Sequence, residues 1–177
     1  DDELNLIQAG GNYGWPQIAG YQDDQMYVYA NWSAGTPASC ASLSFSQSEV
    51  PASVPKETEG SWSHPDFRPP IQTLFTVPSN YDFDAQGGAT IAPSSLAIYT
   101  TGDGGIPGWA DSLLVPGLIK GRMYRQSLSA DGRTAAGEPI ELLRTTNRYR
   151  DLALHPNGRT IYVATDSSGR TTGADDT

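Results

Sequence analysis

Arg148 and Arg150 stand two residues apart in Asn147-Arg148-Tyr149-Arg150-Asp151. On a strand that spacing sends both guanidinium groups to one face and Tyr149 to the other. Two such charges side by side require an anion or carboxylates to compensate them, and a planar guanidinium pairs with a carboxylate through two parallel N–H bonds. Asp151 and Asp166 are at hand, so the residues alone read as an exposed strand with salt bridges, anion binding being the alternative. A second set opens the chain: Glu3, Tyr13 and then Ala19-Gly20-Tyr21-Gln22-Asp23. Carboxylates separated by glycine-containing turns can aim oxygen atoms inward, and calcium takes about 6–8 oxygen ligands. The spacing is not that of an EF-hand loop, and composition alone favours ordinary solvated acids.

Charge divides along the chain in the same way. Residues 1–110 hold 12 acids and two bases, Lys56 and Arg68, whereas residues 111–177 hold 8 acids and 9 bases. The first part favours cations, and the second has guanidinium groups to offer an anion. Over all 177 residues the net charge is −9, which argues against general nucleic-acid binding, since that rests on Lys and Arg neutralising phosphates. No apolar run approaches the ~20 residues of a membrane helix. The single cysteine, Cys40, excludes a disulfide within the chain and reads as a small filler residue. The chain starts at Asp1 without a basic-then-apolar leader, so a targeting peptide is expected to be removed or to lie outside it.

The elements that must position these residues are strands. The 19 glycines and 13 prolines leave little room for helices, and apolar residues fall in short runs bounded by Gly, Pro, Asn and Asp. Strands are expected at 25–30, 71–77, 95–100, 112–115, 122–128, 149–154 and 160–165. The last two flank His155-Pro156-Asn157-Gly158, a hairpin turn in which Asn-Gly supplies positive φ angles. Ser129-Ala130-Asp131-Gly132-Arg133 gives a similar signal. Strands joined by short polar turns suggest a meander, as in sandwiches, barrels or propeller blades. Residues 31–62, rich in Ser, Ala and Pro, read as a surface excursion from one domain spanning 1–177. Three weaker signals are a loop at Gly102-Asp103-Gly104-Gly105, a glycosylation acceptor at Asn31-Trp32-Ser33, and Asp82-Phe83-Asp84, which reads as a solvated turn or as two carboxylates on one strand face.

Six segments then appear in a telling order. They are Asp1-Asp2-Glu3-Leu4-Asn5-Leu6-Ile7, Gly11-Asn12-Tyr13-Gly14-Trp15-Pro16, Ala92-Pro93-Ser94-Ser95, Leu113-Leu114-Val115-Pro116, Asn147-Arg148-Tyr149-Arg150-Asp151 and Tyr162-Val163-Ala164-Thr165-Asp166. In this order and spacing they resemble the soluble PQQ-dependent glucose dehydrogenases of the glucose/sorbosone dehydrogenase family, from Asp1 to about Gly173. The resemblance implies an all-β fold, a six-bladed β-propeller of which this chain is the C-terminal part. It implies a PQQ- and calcium-dependent aldose dehydrogenase, periplasmic or secreted, that oxidises the anomeric carbon of a sugar to a lactone. The catalytic histidine base and the Gly-Pro segment beside the cofactor's calcium precede Asp1 in such enzymes, and neither His64 nor His155 matches that base. Both histidines read as turn residues.

The same resemblance implies roles residue by residue. Arg148 and Arg150 contact PQQ, a flat quinone with three carboxylates, with Arg150 near the reacting quinone oxygen. Asp166 orients an arginine or bonds the cofactor edge, and Thr90 lies beside the cofactor. A family lysine follows Leu118, where an ungapped alignment puts Ile119; a bulge or local shift would be needed to give Lys120 that role. Two structural calcium ions near a subunit interface, compatible with a homodimer, are implied: one at Glu3 and the Tyr13 carbonyl, the other at the Ala19 and Tyr21 carbonyls with Asp23 and Glu57. The stretch Tyr81–Thr90 is shorter than in glucose-oxidising members and lacks their cysteine pair and tryptophan. Fewer aromatic walls put glucose itself in doubt and suit other aldoses, oligosaccharides or another alcohol. The electron acceptor stays open. A calcium-stabilised propeller that only binds a partner or glycan is the competing reading.

Overall fold

A computed structural model describes residues 1–35, 50–119 and 121–166. Lys120 and Cys40 lie outside the described residues. The described part is predominantly β, with ten strands, one single-turn α-helix and two 3-10 turns at Trp32–Ala34 and Glu59–Ser61: β1 (Asp2–Leu4), β2 (Val28–Ala30), β3 (Lys56–Thr58), β4 (Gln72–Phe75), α1 (Phe83–Gln86), β5 (Ala97–Tyr99), β6 (Ser112–Pro116), β7 (Arg122–Ser127), β8 (Ile140–Arg144), β9 (Arg148–Leu154) and β10 (Ile161–Asp166). Each of the seven strands expected from periodicity overlaps an observed one. By its contacts the chain divides into two compact units, one built mainly from residues 5–89 and the other from residues 90–177 together with Asp2 and Leu4.

The first unit has little regular structure. β2 and β3 form a three-residue antiparallel ladder in which Tyr29 faces Glu57. Its buried apolar residues include Ile18, Val54, Leu74, Val77 and Tyr81. Side chains organise the loops around them. Tyr81 is packed edge-on between Phe75 and Phe83, at ring separations of 6.0 and 5.0 Å. Asp82 caps α1, its carboxylate accepting the Ala85 N–H at 3.0 Å. A helix cap, not a strand face, is therefore what Asp82-Phe83-Asp84 forms, because the short Asp side chain satisfies an amide that a first helical turn leaves unpaired. Within the 31–62 stretch, residues 56–58 return as β3, and Val54 and Glu59 are buried.

The second unit is built on regular strands. β5, β6, β7 and β8 follow one another as a four-stranded antiparallel sheet, the form of a single propeller blade. All five residues of β6 are buried, as expected of a central strand covered on both faces. β9 and β10 make the expected hairpin, with His155 N–H bonded to the Thr160 carbonyl at 2.9 Å. Only Gly158 takes the left-handed conformation there, at φ 68°, while Asn157 does not. Asn157 instead accepts the Arg159 and Thr160 N–H groups through its side-chain oxygen, so the turn needs one positive φ and one side-chain acceptor. The Ser129–Arg133 turn repeats this division, with Gly132 at φ 69° and Asp131 accepting the Ser129 hydroxyl and the Arg133 N–H. Those two bonds hold the Asp131 carboxyl below the usual aspartate range.

Candidate functional site

The arginine pair lies on β9, and the sheet places an acid between the two. In the β9–β10 ladder Arg148 faces Asp166 and Tyr149 faces Thr165, but the next pair is Asp151 with Ala164. Arg150 is the extra residue of a β-bulge. A bulge locally re-aims a side chain, and here Arg150 and Asp151 are both exposed in succession. Arg150 reaches Asp166, with Nη2 at 2.5 Å and Nε at 3.2 Å from the same Oδ2 atom. Of the two acids expected to pair with it, Asp166 does so, while Asp151 accepts the Leu152 N–H. The contact is one-sided rather than a parallel fork, and Nη1 takes no part in it. The Arg150 side chain is 45% exposed and that of Asp166 28% exposed.

What anchors these arginines is the residue between them. Tyr149 is buried, and its hydroxyl bonds the Thr145 hydroxyl at 2.7 Å. Its N–H donates to the Gly117 carbonyl at 3.2 Å, and its carbonyl accepts the Ser94 hydroxyl at 2.7 Å. Both peptide groups of Tyr149 are thus tied to the Pro93–Pro116 region of the motifs singled out from sequence. Thr90 enters through the same region. Leu118 N–H bonds the Ala92 carbonyl at 2.9 Å and Ile119 N–H bonds the Ile91 carbonyl at 3.0 Å, which seats the 90–92 turn against residues 117–119. Gly117 permits the approach, since a Cβ there would stand 2.7 Å from the Ile91 carbonyl oxygen. Ala92 has φ 49°, a conformation costing a non-glycine residue about 1–3 kcal/mol and kept only where neighbours impose it. Thr90, Arg148, Arg150 and Asp166 therefore belong to one unit and are linked through backbone contacts.

Two buried or half-buried acids do work that the sequence did not reveal. Asp2 accepts the Thr90 hydroxyl at 2.6 Å and the Ile91 N–H at 2.7 Å. Glu59, 1% exposed, accepts the Ala19 N–H at 2.9 Å and the Asp23 N–H at 3.4 Å. Desolvation pushes the Glu59 carboxyl up, opposed by those amide bonds. Gln22 donates to the carbonyls of Glu59 and Trp62, and Asp24 accepts the Gly60 N–H at 2.5 Å. Segments 19–24 and 59–62 are thereby clipped together from both sides.

The expected calcium ligands lie in or beside that clip. Glu3 accepts the Gly20 N–H at 2.6 Å through one oxygen and the Asn5 amide at 2.8 Å through the other. The Tyr21 carbonyl accepts the Asp23 N–H at 2.9 Å, and the Asp23 carboxylate accepts both the backbone and side-chain amides of Gln25. Glu57 is exposed on β3, and the Tyr13 hydroxyl is engaged with Gln8 and Leu6. The donor set is all oxygen, which suits a hard cation. No group of three or more His, Cys, Asp or Glu placed to hold a metal occurs among the described residues. The two expected sets hold one and two carboxylates, completed by backbone carbonyls, and the Glu3 and Asp23 carboxylates also take amide bonds from their surroundings.

Both histidines are turn residues. His64 accepts the Asp66 N–H and stacks on Trp62, and His155 accepts the Asn157 N–H and meets Tyr162 edge-on. A cavity of about 320 Å³ lies in the first unit, bordered chiefly by apolar residues such as Met26, Val28, Val77 and Phe83, with Asp1 at its margin. It contains none of the arginines. No helix among the described residues is long and apolar enough to cross a membrane.

Fold and site together describe a strand-built protein with an arginine–carboxylate cluster on a bulged hairpin. Comparison with known proteins gives it a lineage: the sequence pattern of the Glucose / Sorbosone dehydrogenase family matches residues 77–172, and the chain belongs to that family. It is 41% identical over 177 residues to quinoprotein glucose dehydrogenase B of Acinetobacter calcoaceticus, covering 96% of this chain and 37% of that protein. It is 28% identical over 167 residues to an uncharacterized protein of Synechocystis sp., covering 94% of this chain and 29% of that protein. The chain thus spans about a third of the length of these relatives.

Proposed function

We propose that this chain is the cofactor-holding C-terminal part of a PQQ-dependent aldose dehydrogenase built as a six-bladed propeller, working in the periplasm or outside the cell. The observation that carries the reading is the half-exposed Arg150–Asp166 pair at the β9 bulge, with Arg148 facing Asp166 across the ladder, in a chain of this family. Bound PQQ would take up the hydride that leaves the anomeric carbon as an aldose becomes a lactone. Arg148 and Arg150 hold and orient its carboxylates, since guanidinium groups bind anions by charge and by directed N–H bonds. Arg150 would add fixed positive charge beside the quinone of bound PQQ, a preorganised electrostatic contribution. Asp166 keeps the Arg150 guanidinium in place. Thr90 supplies a polar contact from the adjoining turn. Lys120 belongs to the same reading on the family resemblance alone.

The base that removes the anomeric hydroxyl proton is assigned to a part of the enzyme outside this chain, because His64 and His155 both serve turns. Structural calcium at Glu3 with the Tyr13 carbonyl, and at Ala19, Tyr21, Asp23 and Glu57, is part of the reading on resemblance and donor chemistry, not on the arrangement of those residues. The test is addition of PQQ, with and without calcium, to the protein that carries this chain, following dye reduction with a panel of aldoses. PQQ-dependent turnover is expected. Absence of any PQQ binding would overturn the reading in favour of a propeller that only binds a partner or glycan.

A further inference from the structure

Asp2 belongs to none of the roles assigned so far, yet its carboxylate is bound on both oxygens by the turn that carries Thr90. Thr90 Oγ1 donates to Oδ1 at 2.6 Å and Ile91 N–H donates to Oδ2 at 2.7 Å. Thr90 Oγ1 in turn accepts the Ala92 N–H at 2.7 Å, the residue held at φ 49°. The hydroxyl hydrogen and one lone pair are thus committed, which leaves Thr90 a single acceptor lone pair in a fixed direction. The next residues continue the chain of bonds: the carbonyls of Ile91 and Ala92 accept the N–H groups of Ile119 and Leu118, and Gly117 accepts Tyr149 N–H between the two arginines.

We infer that Asp2 is a positioning residue of the cofactor site: it fixes the rotamer and hydrogen-bond polarity of Thr90 and locks the 90–92 turn against the segment that seats Arg148 and Arg150. This rests on the PQQ reading proposed above. A bond to an ionised acceptor is short, strong and directional, so a carboxylate here does what a neutral residue of the same shape does not. Without it the Thr90 hydroxyl turns freely about its C–O bond, and the left-handed Ala92 loses one of the contacts that impose its conformation.

The test is a double-mutant cycle in the protein that carries this chain, prepared without PQQ. PQQ affinity is read by equilibrium titration of PQQ absorbance, alongside the thermal midpoint of the PQQ-free protein, for wild type, Asp2→Ala, Asp2→Asn, Thr90→Ala and the Asp2→Ala/Thr90→Ala pair. We expect Asp2→Ala to weaken PQQ binding about tenfold, the effect of losing a charge-assisted bond. Thr90→Ala should weaken it similarly, and the double variant no further than either alone, because both remove the same contact. Asp2→Asn should recover part of the loss, since its amide oxygen still accepts the Ile91 N–H. A lowered thermal midpoint with unchanged PQQ affinity, or losses that multiply in the double variant, would overturn the inference while leaving the function in place. If Asp2→Ala does not fold, Asp2→Asn against Thr90→Ala decides by the same criterion. A wild-type protein that fails to bind PQQ would overturn the function itself, and with it this role.

Discussion

Residues 5–89 and 90–166 use their charged side chains for different purposes. In the first unit, strands are three or four residues long and loops dominate, and carboxylates do the work that a β-ladder does elsewhere. Glu59 takes amides from Ala19 and Asp23, Glu3 takes the amide of Gly20, and Asp24 takes that of Gly60. In the second unit, ladders satisfy most of the backbone and acids such as Asp2 and Asp131 serve turns, while other charged side chains pair with each other, as Arg150 does with Asp166 and Arg122 does with Glu141. Several acids of the first unit thus satisfy irregular backbone, whereas the second unit also brings guanidinium groups and carboxylates together across neighbouring strands. Uneven charge by itself does not mark a cation site; what matters is whether each acid already has an amide to accept.

The largest effect that would break this contrast is on stability. Glu59→Ala leaves the Ala19 amide without its acceptor, at about 1–3 kcal/mol for a buried group, while the Asp23 N–H keeps the Tyr21 carbonyl. Denaturant unfolding should show a loss of about 1–3 kcal/mol for that variant, with Glu57→Ala, exposed on β3, changing little. Equal losses for both would mean that Glu57 is engaged in a way the exposed position does not suggest. Calcium sharpens the same point. A rise in thermal midpoint on adding calcium that Glu57→Gln abolishes would place a calcium ion at the expected Asp23 and Glu57 set.

A middle-sized effect is expected at the β9–β10 turn. Gly158 has φ 68°, and a Cβ there would lie 2.4 Å from Thr101 Cγ2. Gly158→Ala should cost about 1–2 kcal/mol from the left-handed backbone alone, measured by the same unfolding curve. The Tyr99 hydroxyl also donates to the Gly158 carbonyl, so the turn is held from outside the hairpin as well as within it.

Much of this second unit was legible in sequence. β5, β6, β7, β9 and β10 announce themselves by apolar runs bounded by glycine, aspartate and asparagine, and His155-Pro156-Asn157-Gly158 marks the turn. β1 and β3 do not, because Asp2-Glu3-Leu4 and Lys56-Glu57-Thr58 carry almost no apolar residue to face a core. The two arginines were visible as a spaced pair. The bulge that makes Arg150 the extra residue was not, since register depends on the partner strand and leaves no mark on β9 alone. Asp2 and Glu59 were equally hidden. Their partners lie 88 residues away at Thr90 and 40 away at Ala19, and a lone acid gives no sign of the amides it will meet.

The smallest effect concerns Asp131 in the second unit. Its carboxyl is held low by the Ser129 hydroxyl and the Arg133 N–H, so the charged form is favoured in the folded turn. A depressed folded value means a contribution to stability present above the ordinary aspartate pKa of about 4 and lost as pH falls through the lower folded value. Wild type should therefore exceed Asp131→Asn slightly in thermal midpoint at neutral pH, with the gap closing in acid. A gap that widens in acid would contradict the assignment.

The most direct measurement is PQQ affinity of the protein carrying this chain with Arg150 replaced by Ala, set against Arg144→Ala, whose guanidinium sits 62% exposed beside Glu141. If the β9 bulge holds the cofactor, Arg150→Ala weakens binding by about 10- to 100-fold, the range for a lost charged hydrogen bond, while Arg144→Ala leaves it within error of wild type. Equal affinity for wild type and Arg150→Ala would contradict the account and return Arg150 to an ordinary strand salt bridge.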